Sequence, residues 1–284
     1  MNVSPLLSRP TKLLKSGLFA DICIRVDCTS FSCHKIVLAC ASEFFEKLFQ
    51  KDGLQTGEVT LEGTTQEIFK IFLDFIYTPG NCRFSKLESE VLMSLLKCAN
   101  MWLAMEVEKI CHKILYRKCE DMQPDELIKL YAVSYQINNR RLMERSIKFL
   151  QHEWPNEMDC QSTVGMGIDC FEEYFQTTIE IYQPLRRFAM VENWINGNAF
   201  ESESALKSEQ ITNIVKSIDF EEMSLDEFYN GPGKSSVLSD LDKFEIMYKI
   251  AHHLRHNQWT FVLYEEERNT NSMFDCLPFK LLGD

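Results

Sequence analysis

The chain has 284 residues and a mass of 33.2 kDa, and with 45% hydrophobic and 25% charged residues it has the composition of a globular protein of one or two domains. Its formal net charge of −12 argues against a dedicated nucleic-acid-binding surface, which needs clustered basic residues. The first twenty residues lack the apolar core of a signal peptide, and no apolar run reaches the roughly 18–20 residues of a membrane-spanning helix. We therefore expect a soluble protein of the cytoplasm, the nucleus or both, with reduced thiols and no direct contact with nucleic acid or membrane.

Residues 17–49 predict two short strands, a turn and a helix. Apolar and polar residues alternate from Phe19 to Asp27, which is the period of a half-buried strand. Thr29-Ser30 is predicted as the turn and Phe31–Cys33 as the returning strand. Helical spacing of apolar residues follows, and within it Ser42 is expected to end one helical stretch and to cap the next.

This stretch resembles the BTB family, which is also called POZ. The matching motifs, in chain order, are Phe19-Ala20-Asp21-Ile22, Phe31, His34-Lys35-Ile36-Val37-Leu38-Ala39, Ser42, Phe45 and Leu48-Phe49. A hairpin and helix from an unrelated α+β fold is the alternative.

The resemblance implies a homodimer. In BTB proteins an acid and a base at the positions of Asp21 and Lys35 line a charged pocket in the dimer groove, and His34 lies directly before Lys35. A helix that precedes the first strand packs on the partner subunit in this family, which points to Leu13, Leu14 and Leu18. Two alternatives stay open, namely that these leucines cover their own domain and that Asp21 and Lys35 form an ordinary ion pair in a monomer.

The rest of the first domain is predicted over residues 1–118. Glu58–Leu61 has the pattern of a third strand. Thr64 and Glu67 have capping-box spacing at the start of a core helix, which is predicted to stop at the turn Tyr77-Thr78-Pro79-Gly80. A helix pair follows, over Glu88–Cys98 and Met101–Tyr116.

Residues 119–258 are predicted to be all helical. The helices expected there are Asp125–Ile137, Arg140–Trp154, Asp169–Gln176, one around Phe188–Ile195 and Asp240–Asn257. The stretch Ile211–Leu225 resembles a helix followed by a corner and a leucine-containing turn. This region resembles the BACK domain that commonly follows BTB, although Asp219 stands where a basic residue is usual. Residues 259–284 are predicted as a C-terminal strand and tail, with Trp259–Tyr264 as the strand. The expected fold class is therefore α+β, a BTB/POZ fold of short strands with a helical cluster, followed by an all-helical BACK-like domain.

Motifs for catalysis or cofactor binding are weak in this sequence. Gly231–Ser235 ends like a phosphate-binding loop, but the required glycine is replaced by Phe228, which favours a linker. His252, His253 and His256 lie on one predicted helix without further ligands, so a polar helix face is favoured over a metal site. The cysteines lack zinc-site spacing, and Cys33 and its neighbour His34 point to opposite faces of a strand. We expect no enzyme, no cofactor and no metal.

The leading functional prediction is a non-enzymatic interaction module that homodimerises through its BTB domain. In this family one common role is to bridge a substrate protein to a cullin-RING ubiquitin ligase, and the candidate cullin contacts here are Phe45, Phe49, Leu54 and Thr56. The family pattern at that place is an apolar residue, any residue and then glutamate, and this chain has Leu54-Gln55-Thr56 instead. No Kelch repeat is present, so residues 240–284 are the candidate region for an unknown substrate. The alternatives are a nuclear BTB transcriptional co-regulator and an architectural dimer that does not bind cullin.

Overall fold

The computed structural model describes residues 5–51, 57–78, 84–198 and 205–254. The chain forms two compact units, Met1–Thr163 and Val164–Asp284. Within the described ranges, every helix is too short or too polar to cross a membrane.

A three-stranded mixed sheet forms the centre of the first unit. β1 (Ile22–Val26) pairs in antiparallel fashion with β2 (Thr29–Cys33) and in parallel with β3 (Glu58–Leu61), which gives the order β2-β1-β3. Side chains alternate along β1, and both Ile24 and Val26 are fully buried. The predicted strands are thus present, with the third one at its predicted bounds.

The turn between β1 and β2 is one residue pair earlier than the sequence predicted. Val26 is opposite Thr29, so the loop is Asp27-Cys28, and the prediction of Thr29-Ser30 as the turn is wrong. Asp27 has a φ of 51°, a left-handed conformation that aspartate tolerates better than most residues. Two-residue loops of this kind close antiparallel hairpins.

The described part of the first unit also contains eight α-helices. They are α1 (Pro5–Ser16), α2 (Lys35–Ala41), α3 (Glu43–Lys51), α4 (Gln66–Tyr77), α5 (Ser89–Met101), α6 (Met105–Lys118), α7 (Pro124–Gln136) and α8 (Arg140–Glu153). Ser42 separates α2 from α3, and its Oγ accepts a hydrogen bond from the N–H of Phe45 at 3.2 Å, which confirms the predicted cap. α4 is capped by Thr65, whose Oγ1 accepts from the N–H of Ile68, rather than by Thr64.

An aromatic cluster fills the core between α3, α4 and the end of α5. Trp102 is 1% exposed, and its ring centroid lies 6.1 Å from Phe45, 5.7 Å from Phe69 and 4.9 Å from Phe72. Side chains of this size stabilise a fold by roughly 1.5–3 kcal/mol each when fully buried. The cluster therefore fixes where α3 lies relative to the α5–α6 connection.

α7 and α8 pack on α5 and α6 within the first compact unit. Arg145 of α8 lies 4.7 Å from the ring centroid of Tyr116 on α6, and it also pairs with Glu120 at 2.7 Å. The predicted domain boundaries at residues 118 and 258 stay predictions. The two compact units are defined by packing alone, and by that criterion α7 and α8 belong with the helices that precede them.

The second unit is helical throughout its described residues. Its helices are α9 (Ile168–Gln176), α10 (Pro184–Asn198), α11 (Ala205–Lys216), α12 (Leu225–Asn230) and α13, which is described over residues 240–254. Trp194 of α10 stacks on Phe171 of α9 with ring centroids 4.2 Å apart, and its indole N–H donates to the carbonyl of Met166. The predicted strand Trp259–Tyr264 and the tail to Asp284 lie outside the described residues.

Candidate protein-interaction site

The start of α2 is held by a carboxylate from the preceding segment. Asp21 Oδ1 accepts a hydrogen bond from the backbone N–H of Lys35 at 2.7 Å, while the Asp21 N–H donates to the carbonyl of Cys33. The N-cap residue His34 makes no side-chain cap of its own, so Asp21 supplies the acceptor that the first turn of α2 lacks. The sequence suggested a pairing of this carboxylate with the Lys35 ammonium, but the bond that the structure gives runs to the main chain.

His34 is 8% exposed and bonded at every polar atom of its ring. Nε2 lies 2.9 Å from the carbonyl oxygen of Leu18, which can only accept, so Nε2 carries a proton. Nδ1 lies 2.7 Å from the hydroxyl oxygen of Tyr77, and that hydroxyl also accepts from the His34 N–H at 3.0 Å. Burial raises the pKa of Tyr77 to about 12, so its hydroxyl stays protonated and can donate to Nδ1. The network ties the segment after α1, the start of α2 and the end of α4 into one junction.

A strained and exposed apolar residue stands beside this junction. Phe19 has a φ of 64° and is 78% exposed, although left-handed backbone is unfavourable for a bulky residue. Leu18, whose carbonyl receives His34, is 56% exposed, and Ile36 on the first turn of α2 is 72% exposed. We call Leu18, Phe19 and Ile36 the junction patch. Of the predicted dimer residues, Leu13 and Leu14 are half-buried on α1, a helix that packs against α4 of its own chain.

The candidate cullin contacts on α3 do not all reach the surface. Phe45 is fully buried in the aromatic cluster, so its side chain offers nothing to a partner, and its expected contact role is replaced by a core role. Phe49 is half-buried and stacks on Phe45 with ring centroids 6.0 Å apart. Leu54 and Thr56 lie outside the described residues.

A second apolar surface, which sequence reasoning missed, lies at the connection between α5 and α6. Met101, Leu103 and Met105 are 45%, 45% and 55% exposed, and we call them the connection patch. The intervening Trp102 carbonyl accepts from Ser42 Oγ and from the N–H of Phe44, so the patch is fastened to the start of α3.

Leu103 shares the left-handed backbone of Phe19. Its φ is 53°, at a helix end where glycine or asparagine is usual. The other non-glycine residues with positive φ in the described ranges are Asp27 and Asn138, both of types that tolerate it. A helix end without glycine or asparagine is the sequence signal that could have identified this patch.

The described residues offer neither a reactive cysteine among the buried thiols nor a cluster of metal ligands. Burial raises the pKa of the Cys33, Cys111 and Cys170 thiols to about 12 and that of Cys119 to about 11, so these thiols stay protonated. In the described ranges no three His, Cys, Asp or Glu side chains come together as a metal site.

The other motifs that resemble catalytic ones have ordinary structural roles. Gly231–Ser235 holds a short 3₁₀ turn, in which Lys234 Nζ donates to Asn230 Oδ1. The ring of His252 stacks on Tyr248, and His253 lies 3.9 Å from a Glu221 carboxylate oxygen.

The described residues form a small mixed sheet with helices, followed by further helices, which is an α+β fold. Residues 11–119 match the BTB/POZ domain family, so the chain carries a BTB/POZ domain where the sequence resemblance placed it. The helical region after it is consistent with a BACK-like region.

Similar curated proteins carry the same domain within longer chains. BTB/POZ and MATH domain-containing protein 6 of Arabidopsis thaliana is 24% identical over 174 residues, which are 56% of this chain and 41% of that protein. Kelch-like protein 6 of Homo sapiens is 19% identical over 186 residues, which are 64% of this chain and 29% of that protein. The chain thus spans less than half the length of these relatives.

Solved structures similar to this chain are also BTB domains. The BTB domain of zebrafish PATZ1 is 29% identical, and the alignment covers 39% of this chain and 89% of that domain with a TM-score of 0.35. The BTB domain of human Gigaxonin is 23% identical, with coverages of 40% and 95% and a TM-score of 0.34.

Proposed function

We propose that this chain is a protein-interaction module that homodimerises through its BTB/POZ domain and acts as an adaptor between a cullin-RING ubiquitin ligase and a substrate protein. The observation that carries the proposal is that two exposed apolar residues, Phe19 and Leu103, are held in left-handed backbone at two separate patches. Such strain costs about 1–3 kcal/mol per residue and concentrates at functional sites. Exposed apolar patches on a folded domain mark surfaces that other proteins cover.

The junction patch is the proposed dimer surface. It lies beside Asp21, His34 and Lys35, which correspond to positions that line the dimer groove in BTB/POZ proteins. The bonds from Asp21 and Tyr77 fix the backbone of this junction, and a fixed surface loses less conformational entropy when it associates.

The connection patch, with the exposed part of α3, is the proposed cullin surface. Ser42 and Phe44 both donate hydrogen bonds to the carbonyl of Trp102 and so hold α3 against the α5–α6 connection. Phe49 on α3 and Leu103 on the connection therefore lie on elements that are fixed to each other. The acid of the family pattern is absent at Thr56, and we expect this to weaken binding.

Light scattering on two matched variants tests the dimer. Asparagine tolerates positive φ, so Phe19→Asn removes the apolar ring without straining the fold, and Leu103→Asn does the same at the other patch. We expect the native chain and Leu103→Asn to have about twice the 33.2 kDa chain mass, and Phe19→Asn to approach 33.2 kDa. A native monomer, or a Phe19→Asn variant that keeps its dimer mass, would refute the junction patch as the interface.

Calorimetric titration with a cullin N-terminal domain tests the adaptor role with the same pair. We expect Leu103→Asn to weaken binding at least tenfold, about 1.4 kcal/mol, and Phe19→Asn to leave the affinity per chain unchanged. Thr56→Glu restores the family's acid and should tighten binding.

The missing acid at Thr56 also favours a second candidate function, a BTB dimer that acts without a cullin as a nuclear transcriptional co-regulator or as an architectural element. A dimer that binds no cullin, with or without Thr56→Glu, would favour this second candidate over the ligase adaptor. The proposed location in the cytoplasm, the nucleus or both fits either candidate.

A further inference from the structure

The last described helix of the second unit, α13, is packed on one side and exposed on the other. Ile250 is fully buried and Ile246 half-buried, and His253 on the same side lies 3.9 Å from a carboxylate oxygen of Glu221. These contacts fix which side of α13 faces the rest of its unit, so the opposite side is turned outward.

The outward side of α13 is an apolar stripe. Its members recur at spacings of three and four residues, which places them in one row along a helix. They are Leu241, Phe244, Tyr248 and Ala251, and the first three are 68%, 70% and 65% exposed. Met247, which is 44% exposed, widens the stripe along one flank. Apolar residues at this spacing form the seam between two helices that pack side by side.

The charges beside the stripe change sign along α13. Residues 240–246 hold three acids and one base, whereas residues 247–254 hold one lysine, two histidines and no acid. Glu245, Lys249 and His252 follow one another at spacings of four and three residues, so they share the flank opposite Met247. Charged residues that flank an apolar seam select the partner and the orientation of a helix pair.

A second copy of α13 in antiparallel orientation matches both the stripe and these charges. In an antiparallel pair with two-fold symmetry, each flank of one helix meets the same flank of the other. With the axis near residue 247, Glu245 of each copy is opposite Lys249 of the other, and on the other flank Met247 meets its counterpart. A parallel pair instead brings Glu245 to Glu245 and Lys249 to Lys249, where like charges repel.

We propose that α13 is a second self-contact of this protein, an antiparallel pair with α13 of a second copy in which the two apolar stripes cover each other. The contact uses other residues than the junction patch and does not depend on it. One helix per chain buries less than the roughly 1,200 Å² of a stable interface, so the dissociation constant is on the order of 100 μM. At a few micromolar the contact is therefore unoccupied, and the masses expected there for the junction variants do not change.

Light scattering over a range of concentrations tests the contact in the full-length Phe19→Asn chain. We expect a mass of 33.2 kDa at about 5 μM that rises toward twice this value at about 500 μM. Phe244→Glu in this chain puts a charge into each stripe and should weaken association at least tenfold. Tyr229→Glu, at an exposed aromatic residue of α12, is the matched control and should leave association unchanged. A mass that does not rise with concentration, or equal association of the two glutamate variants, would overturn the proposal.

The comparison of these two variants also separates the α13 contact from the junction patch. Both variants carry the same Phe19→Asn substitution, so any dimer that the first unit still forms contributes equally to both masses. A failure of the junction patch therefore appears as a high mass at about 5 μM in both variants, while the α13 contact is measured by the difference between them.

Charge reversal tests the orientation of the pair. In the Phe19→Asn chain, Glu245→Lys and Lys249→Glu each place like charges opposite one another, and each should weaken association at least fivefold at low ionic strength. An equimolar mixture of the two variants restores opposite charges between different chains only, so it should associate as strongly as the parent chain. All the substituted side chains are exposed, and we expect native circular dichroism for every variant. Single variants that associate like the parent, or a mixture that does not recover, would overturn the antiparallel pair.

Discussion

Two buried polar centres of this chain, one in each unit, differ in how completely they are bonded. At the junction of α1, α2 and α4, the ring and backbone N–H of His34 are bonded to Tyr77 and Leu18. In the second unit Arg187 is 5% exposed, yet its Nε and Nη2 have no hydrogen-bond partner within the described residues. Its guanidinium lies over the Phe175 ring at 4.2 Å, and burial lowers its pKa. The first centre therefore stabilises one conformation. In the second, the free energy lost when the guanidinium is desolvated is not offset by hydrogen bonds at Nε and Nη2.

The largest expected difference between the two units is in how much stability each loses at alkaline pH. Thiols with clearly raised pKa values include Cys33, Cys111 and Cys119 in the first unit and Cys170 in the second, within the described ranges. Because the folded pKa is raised, each contribution to stability is complete below the ordinary thiol pKa near 9 and is lost as pH rises toward 11 or 12. Each thiol can contribute at most about 1.4 kcal/mol per pH unit in that window.

Urea titrations at pH 8, 9 and 10 measure this loss. Cys111→Ala should make the free energy of unfolding fall less steeply with pH above 9, whereas alanine at the exposed Cys28 should leave the slope unchanged. Equal slopes for the two variants would mean that the Cys111 thiol is not protected by the fold.

Tyr77→Phe breaks the bonded centre without changing its shape. The lost hydroxyl leaves the His34 N–H and Nδ1 unpaired in a buried site, and each such group costs about 1–3 kcal/mol. We expect the free energy of unfolding to fall by about 2–4 kcal/mol in chemical denaturation. Tyr229→Phe, at a 64% exposed ring, is the control and should change it by less than about 0.5 kcal/mol. A similar small change for both would show that the hydroxyl network contributes no net stability.

Substitutions of Asp21 and Lys35 separate helix capping from dimerisation. Asp21→Ala removes the acceptor for the Lys35 N–H and should cost about 0.5–2 kcal/mol, whereas Asp21→Asn keeps an acceptor oxygen and should cost less. Lys35→Gln retains the backbone N–H, so we expect monomer stability to be unchanged and any effect to appear in the dimer mass. Equal costs for alanine and asparagine at position 21 would show that the carboxylate acts through its charge alone.

The sequence predicted most of the first unit because its signals are local. Alternation along β1 and the serine cap at Ser42 depend only on neighbouring residues, and both are present. The hairpin turn was misplaced because aspartate at positive φ allows a loop at Asp27-Cys28, which composition alone does not distinguish from Thr29-Ser30.

The surfaces were harder to predict, because exposure depends on tertiary packing. Phe45 has the spacing of a helix-face residue, but the ring of Trp102 from a distant segment buries it. Next to that buried ring, Leu103 is exposed in left-handed backbone, and the residue types at this helix end indicate the unusual backbone but not the exposure of its side chain. Strand pairing was expected to bring Asp21 near Lys35, and the Asp21 carboxylate does accept a hydrogen bond there, from the backbone N–H of Lys35 rather than from its ammonium. The role of Asp21 in a dimer stays a prediction.

Arg187→Met should have the smallest effect on stability and addresses the unpaired centre directly. Methionine fills a similar volume and removes two unpaired buried donors, at the loss of the contact with Phe175 and of one 3.5 Å hydrogen bond to the Ser217 carbonyl. These contributions oppose each other, so we expect a change in the free energy of unfolding between zero and about 1 kcal/mol in the stabilising direction. Arg187→Lys keeps the charge but loses the planar stacking, and it should be less stable than the methionine variant. A destabilisation by methionine of more than about 1.5 kcal/mol would mean that the guanidinium is bonded in solution, and the contrast between the two centres would then disappear.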